Sequence, residues 1–178
     1  MNEYLTVSGR SFIQNIVLLV SICWQSPSLA TGSGLEPYSG ENVRDLSLTD
    51  LSGHAHALRN YKYKVVLINF CASWCIPCLQ EMPGMQRLQA SLKDENFTLL
   101  TINISDPPRQ IRETLKRLQL DLTVLLDRDG GTFKQWGGQV LPTSFILDQD
   151  SLIRYHAIGP IDWDDPDVVR LIKKLLTD

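Results

Sequence analysis

Val65-Val66-Leu67-Ile68-Asn69-Phe70-Cys71-Ala72-Ser73-Trp74-Cys75-Ile76-Pro77-Cys78 is the stretch that decides the fold. Its first six residues form a nearly continuous apolar run, the pattern of a strand covered on both faces. A helix is predicted to start near Cys75 and run towards Lys93. Pro83 should interrupt it, because proline lacks an N–H and its ring clashes with the carbonyl of Leu79. Phe97 to Ile104 reads as a second buried strand. Asp106 is then expected to cap a helix whose first position is Pro107. Ile111, Leu115 and Leu118 give that helix one apolar stripe, with Arg109, Arg112, Lys116 and Arg117 mainly on a solvated face. Leu122 to Leu126 is a third strand and Gly130 to Trp136 a short helix. Thr143 to Leu147 and Leu152 to His156, joined by Asp148-Gln149-Asp150-Ser151, carry a hairpin signal. A last helix over 165–176 starts with Pro166 and should bury Val168, Val169, Ile172, Leu175 and Leu176. Residues 35–62 are a lead-in of short strands and turns. Alternating strands and helices followed by a hairpin and a helix make an α/β domain, with a mixed sheet and helices on both faces.

At 178 residues, 43% hydrophobic and 21% charged, the chain suits one packed domain. Lys plus Arg number 17 against 20 Asp plus Glu, a net charge of −3. That balance argues against a nucleic-acid partner, which would call for a basic excess or stripe. Four cysteines are too few for a disulfide-stapled scaffold of this length. Their placement carries the information.

Cys75 and Cys78 stand two residues apart at the start of a helix that follows a buried strand, which reads as a redox dithiol. Free N–H groups and the positive end of the helix dipole favour a thiolate at Cys75. Cys78 lies one turn deeper, close enough to close a disulfide with it. Pro77 sits in the first turn, where its missing N–H costs little, and stiffens the ring. The expected chemistry is attack of Cys75 on a substrate disulfide, followed by attack of Cys78 on the Cys75 sulfur to release reduced substrate.

The run from Val65 to Cys78, with Glu81-Met82-Pro83 after it, Leu141-Pro142-Thr143-Ser144-Phe145 and Gly159-Pro160-Ile161-Asp162-Trp163, resembles the thioredoxin-like proteins of the TlpA/ResA group. The resemblance spans roughly residues 35–176 and is most specific at 75–83 and 141–145. It implies a thioredoxin fold and an exported or membrane-anchored thiol-disulfide oxidoreductase. Many relatives act on apocytochrome c or on copper-site assembly proteins. It further implies that Pro142 is a cis-proline facing the dithiol, and that the Leu141 backbone pairs with an extended substrate. Glu81 would be the acid that moves a proton for the Cys78 thiol. Trp74 is expected beside the disulfide, shaping a docking rim with Trp136, Gly137, Gly138 and Leu141. Partners would be protein disulfides and a membrane electron donor, with no cofactor beyond the dithiol itself.

Two residues depart from the group's pattern. Asn69 stands where cytosolic thioredoxins carry a buried Asp, which passes proton handling to Glu81. Cys71 stands where relatives usually have Trp, and reads as a small apolar core residue. Three other readings use the same residues. Cys71, Cys75 and Cys78 have the spacing of a radical-SAM cluster loop, but such enzymes need a longer barrel. A non-catalytic copper-binding module could use two of these cysteines with His54, His56 or His156, although no histidine has ligand spacing to them. A disulfide-forming oxidase could use the same dithiol at a higher potential. Reduction is the expected direction, since the chain is too short for a large helical insertion.

Residues 1–30 read as an address label. The apolar run Phe12–Trp24 is about 13 residues, short of the roughly 18–20 that span a bilayer, and fits a secretory signal. Ser28-Leu29-Ala30 places cleavage near Ala30. An uncleaved N-terminal membrane anchor is the alternative, because Glu3 offsets Arg10. Ile22 before Cys23 does not suit lipidation. The expected organisation is a signal peptide or anchor over 1–30 and a thioredoxin-like domain over 31–178, in a periplasmic or other extracytoplasmic setting.

Overall fold

The computed structural model describes residues 34–40 and 45–177. The expected signal segment 1–30, with Cys23, lies outside them. No helix among the described residues is long and apolar enough to cross a membrane.

A six-stranded sheet is built from β1 (Glu36–Pro37), β4 (Val65–Cys71), β5 (Phe97–Ile104), β6 (Val124–Asp127), β7 (Thr143–Leu147) and β8 (Ile153–Ile158). Their order is β1-β8-β7-β4-β5-β6. β4–β5 and β5–β6 are parallel; β4–β7, β7–β8 and β1–β8 are antiparallel. A separate ribbon of β2 (Ser47–Thr49) and β3 (Ala55–Ala57) is tied to the sheet edge by a bridge between Asp50 and Leu125. The sheet is mixed, as the residue pattern predicts.

Every residue of β4 is buried, because helices or loops cover both of its faces. Val65, Leu67 and Cys71 join one core with Met82, Met85 and Leu88 of α1 (Ile76–Ser91), Ile111 of α2 (Pro108–Leu118), and Val168, Ile172 and Leu175 of α4 (Pro166–Thr177). Val66, Ile68 and Phe70 join a second core with Leu46, Leu58, Phe145 and Trp136, the last just after α3 (Gly131–Gln135). Strand alternation divides a single strand between two cores.

Three local expectations are corrected. Helix α1 passes through Pro83 without a break and ends at Ser91, not Lys93. Proline removes one backbone bond; the buried side chains around it hold the remaining turns on the sheet. Asp106 does not cap α2: Pro107 is the N-cap residue, and no side chain caps that end. Val169 and Leu176 are only half-buried on α4, whose buried stripe is Val168, Ile172 and Leu175.

Ile68 is fully buried at the centre of β4. Ile68→Ala should cost about 3 kcal/mol, from lost transfer energy plus the cavity left behind. Urea unfolding of the oxidised protein measures this, and a loss below about 1 kcal/mol would show that the site collapses around the smaller residue.

Candidate active site

β4 ends at Cys71, and the chain turns through Ala72-Ser73-Trp74 into α1. Cys75 is the N-cap residue of α1 and has extended backbone angles. Its Sγ accepts a 3.4 Å hydrogen bond from the Cys78 N–H, and Pro77 occupies the first turn. Cys75 and Cys78 are joined by a disulfide, with their Cα atoms 5.3 Å apart. Cys78 is fully buried and Cys75 nearly so. Around them Trp74 and Ile76 are 65% and 68% exposed, an apolar surface beside a nearly hidden disulfide. Trp74 is therefore a surface residue, free of the core.

Glu81 lies one turn past Cys78 and is buried, at 5% exposure. Its carboxylate draws three donors from two parts of the chain. Asn69 Nδ2 on β4 reaches Oε1 at 2.7 Å. The Ile161 N–H and Trp163 Nε1 reach Oε2 at 3.0 and 3.2 Å. Asn69 Nδ2 also donates to Ser144 Oγ on β7 at 3.0 Å. Burial disfavours the charged form and raises the Glu81 pKa from 4.5 to about 7; the three donors pull the other way and only partly offset it. A carboxyl poised near neutrality can both take up and give back a proton at neutral pH.

The loop between β4 and α1 is held by Asp106. Its Oδ2 accepts from the Ser73 N–H at 2.6 Å and from Asn103 Nδ2 at 2.8 Å. Gln110 Nε2 of α2 donates to Ser73 Oγ. Asp106 thus serves the turn that presents Cys75, which explains why it does not serve its own helix. Residue patterns gave no sign of this contact, which spans 33 positions.

The Leu141–Pro142 peptide bond is cis. Thr143 pairs with Phe70, so Pro142 falls one step further, at the sheet end where β4 gives way to the cysteine loop. The Pro142 carbonyl accepts from the Gly159 N–H at 2.9 Å. Leu141 is half-buried, and among the described residues neither its N–H nor its C=O takes a hydrogen bond. Val140 beside it is 56% exposed.

One residue of the expected rim stands apart from it. Trp136 is 2% exposed and cannot form a docking rim; its ring packs on Phe70 and Phe145, and its Nε1 donates to the Asp45 carbonyl. The second core absorbs it. Cys71 is a buried free thiol. Burial first, then the nearby charges of Glu81 and Asp106, push its pKa far above the ordinary thiol range, so it stays protonated. His54 and His56 both face Asp50, and His56 also contacts the Tyr61 hydroxyl. His156 is on β8, opposite Phe145. Among the described residues, no three His, Cys, Asp or Glu side chains converge as a metal site.

Residues 39–156 match the AhpC/TSA family. The chain is similar to the thiol-disulfide oxidoreductase ResA of Geobacillus kaustophilus, 31% identical over 126 residues that make up 71% of this chain and 72% of that one. It is also similar to the thioredoxin-like protein YneN of Bacillus subtilis, 33% identical over 67% of this chain and 71% of the other. In fold it is similar to a secreted thiol-disulfide isomerase from Corynebacterium glutamicum, with a TM-score of 0.72 at 22% identity, covering 84% of this chain and 95% of that one. The fold is thioredoxin-like.

A carboxyl whose folded pKa lies above its unfolded value favours the folded state below pH 4.5, and that contribution is lost as pH rises through about 7. Full ionisation of Glu81 should remove on the order of 3 kcal/mol. Denaturant unfolding of the oxidised protein from pH 4.5 to 8 should show this decline, and Glu81→Gln should flatten it. Equal slopes for the two proteins would mean that Glu81 titrates in the ordinary carboxylate range.

Proposed function

The chain belongs to the AhpC/TSA family of thioredoxin-like proteins and is a thiol-disulfide oxidoreductase, and from that premise we propose that it acts as a reductase of protein disulfides outside the cytoplasm. One observation carries the reading: a disulfide between an N-cap cysteine and a fully buried partner, with a buried carboxyl near neutral pKa one turn behind.

The reduced enzyme meets a substrate disulfide with the Cys75 thiolate. The Cys75 sulfur bonds to one substrate sulfur, the substrate S–S bond breaks, and the departing thiolate takes a proton. Cys78 then gives its proton to the Glu81 carboxylate and attacks the Cys75 sulfur. The Cys75–Cys78 bond forms, the mixed disulfide breaks, and the second substrate thiolate leaves. The substrate gains two electrons and the enzyme loses two. Asn69 cannot titrate; it orients Glu81 by its 2.7 Å hydrogen bond. Pro77 holds the first turn of the ring. Trp74, Leu141 and Pro142 form the substrate side: an exposed indole, then a half-buried backbone step with unpaired polar groups that an extended segment can pair with. The dithiol is the whole redox centre, and no further cofactor enters the scheme.

Residues 1–30 supply export in this reading, as a cleaved signal or a retained anchor, and leave 31–178 as the working domain. In an oxidising compartment a reductase must be recharged, so a membrane electron donor is part of the proposal. Disulfide-bearing proteins awaiting cytochrome c assembly or copper-site assembly are the proposed substrate class. It draws on the resemblance, together with the similarity to ResA.

Equilibrium titration against glutathione tests the direction. A potential below about −200 mV is expected, and one near −120 mV would make the enzyme an oxidant. Cys75→Ser should abolish insulin-type disulfide reduction, while Cys78→Ser should accumulate a mixed disulfide. Full activity without an adduct in the Cys78→Ser protein would reverse the assigned order of attack.

A further inference from the structure

We propose that Trp163, with its segment pinned by the Arg87–Asp164 ion pair, is a positioning residue for Glu81, setting how readily that carboxyl holds a proton. The indole is fully buried, and its Nε1 lies 3.2 Å from Glu81 Oε2, the oxygen that the Ile161 N–H also reaches at 3.0 Å. Both donors come from the segment 160–164, which is laid on α1. Arg87 of α1 fixes that segment through two bonds, Nε to Asp164 Oδ2 at 2.5 Å and Nη2 to Oδ1 at 3.2 Å. Gly84 faces this pair: a Cβ there would stand 2.9 Å from the Asp164 Oδ1 tip and in ordinary contact, at 3.6 Å, with the Trp163 nitrogen. A cleft of about 260 Å³, lined by Glu81, Gly84, Arg87, Ile161, Trp163 and Asp164, already runs along this seam.

The segment therefore does two opposed things to Glu81. It supplies donors, which favour the carboxylate, and it keeps water away, which favours the neutral acid. The charged or titratable neighbours in the oxidised protein are Arg87 on α1, Cys71 on β4, and Asp162 and Asp164 on the segment itself, Cys78 being held in its disulfide. Arg87 and Asp164 are 62% and 37% exposed on their side chains, so their pairing is modest and salt-sensitive.

Two substitutions separate the two effects. Trp163→Phe keeps the cover and removes one donor, so the Glu81 midpoint should rise by about one pH unit. Asp164→Asn releases the segment, widens the cleft to water, and should lower the midpoint by about half a unit. A general loss of packing would move both variants the same way.

The test is a carbon-13 NMR titration of glutamate-labelled oxidised protein, full chain, with Glu81→Gln to assign the signal. Opposite shifts in the two variants support the proposal; no shift in Trp163→Phe, or shifts of one sign, overturn it. Should Trp163→Phe fail to fold, the exposed pair decides. Arg87→Gln combined with Asp164→Asn leaves the local charge sum unchanged and releases the segment, so the midpoint should fall; a midpoint that stays or rises overturns the proposal. The inference rests on the reading of Glu81 as the proton carrier only for its consequence. Midpoints that move while the pH profile of disulfide reduction stays fixed would support the positioning role and sink the carrier role. Midpoints that stay fixed would sink the positioning role and leave the carrier role standing.

Discussion

The arrangement turns on one buried carboxyl. Glu81 is taken out of water on the dithiol helix itself and is met by donors from β4 and from the segment 160–164. Burial of an acid is costly, and hydrogen bonds to its ionised form recover part of that cost. The balance lands near neutrality. For the proposed proton transfer, a fully solvated glutamate would be too acidic to return a proton, and one without donors would be too reluctant to give it up. The packing of α1 on β4 serves this compromise as much as it serves stability.

The sheet places the chemistry at one end. β4 is the central strand and is buried along its whole length, and its end at Cys71 leads straight into the cysteine loop. Asp106 braces that loop from the neighbouring strand end, and β7 enters beside it directly after Pro142. Cys75, with the exposed Trp74 and Ile76 next to it in the chain, therefore lies at the same sheet end as the cis Leu141–Pro142 bond. Cys71, close enough to feel the charges of Glu81 and Asp106, is kept neutral by the same burial and stays out of exchange.

Local chemistry made much of this legible. The apolar run 65–70 reads as a two-faced strand because helices cover both sides, and the spacing of Cys75 and Cys78 at a helix start reads as a dithiol from dipole and turn geometry. What failed, or stayed hidden, was decided by distant partners. Asp106 has the right side chain and position to cap a helix, yet the Ser73 N–H, 33 positions away, takes its carboxylate. Trp136 is expected on the docking rim, yet two aromatic rings from other strands enclose it. The bond from Trp163 to Glu81 spans 82 positions, and no periodicity announces it.

The outermost strands carry a further consequence. β1 is two residues long and ends in Pro37, which has no N–H to offer. At the opposite margin, β6 is partly occupied by the bridge to Asp50 and by the Leu51 N–H on the Val124 carbonyl. Blunt margins of this kind discourage one sheet from growing onto another. If its substrates are extended protein segments, as proposed, the enzyme gains from that, since such segments bring unpaired strands of their own. The sheet margins then offer a bound segment little to extend along, which confines pairing to the Leu141 step of the proposed scheme.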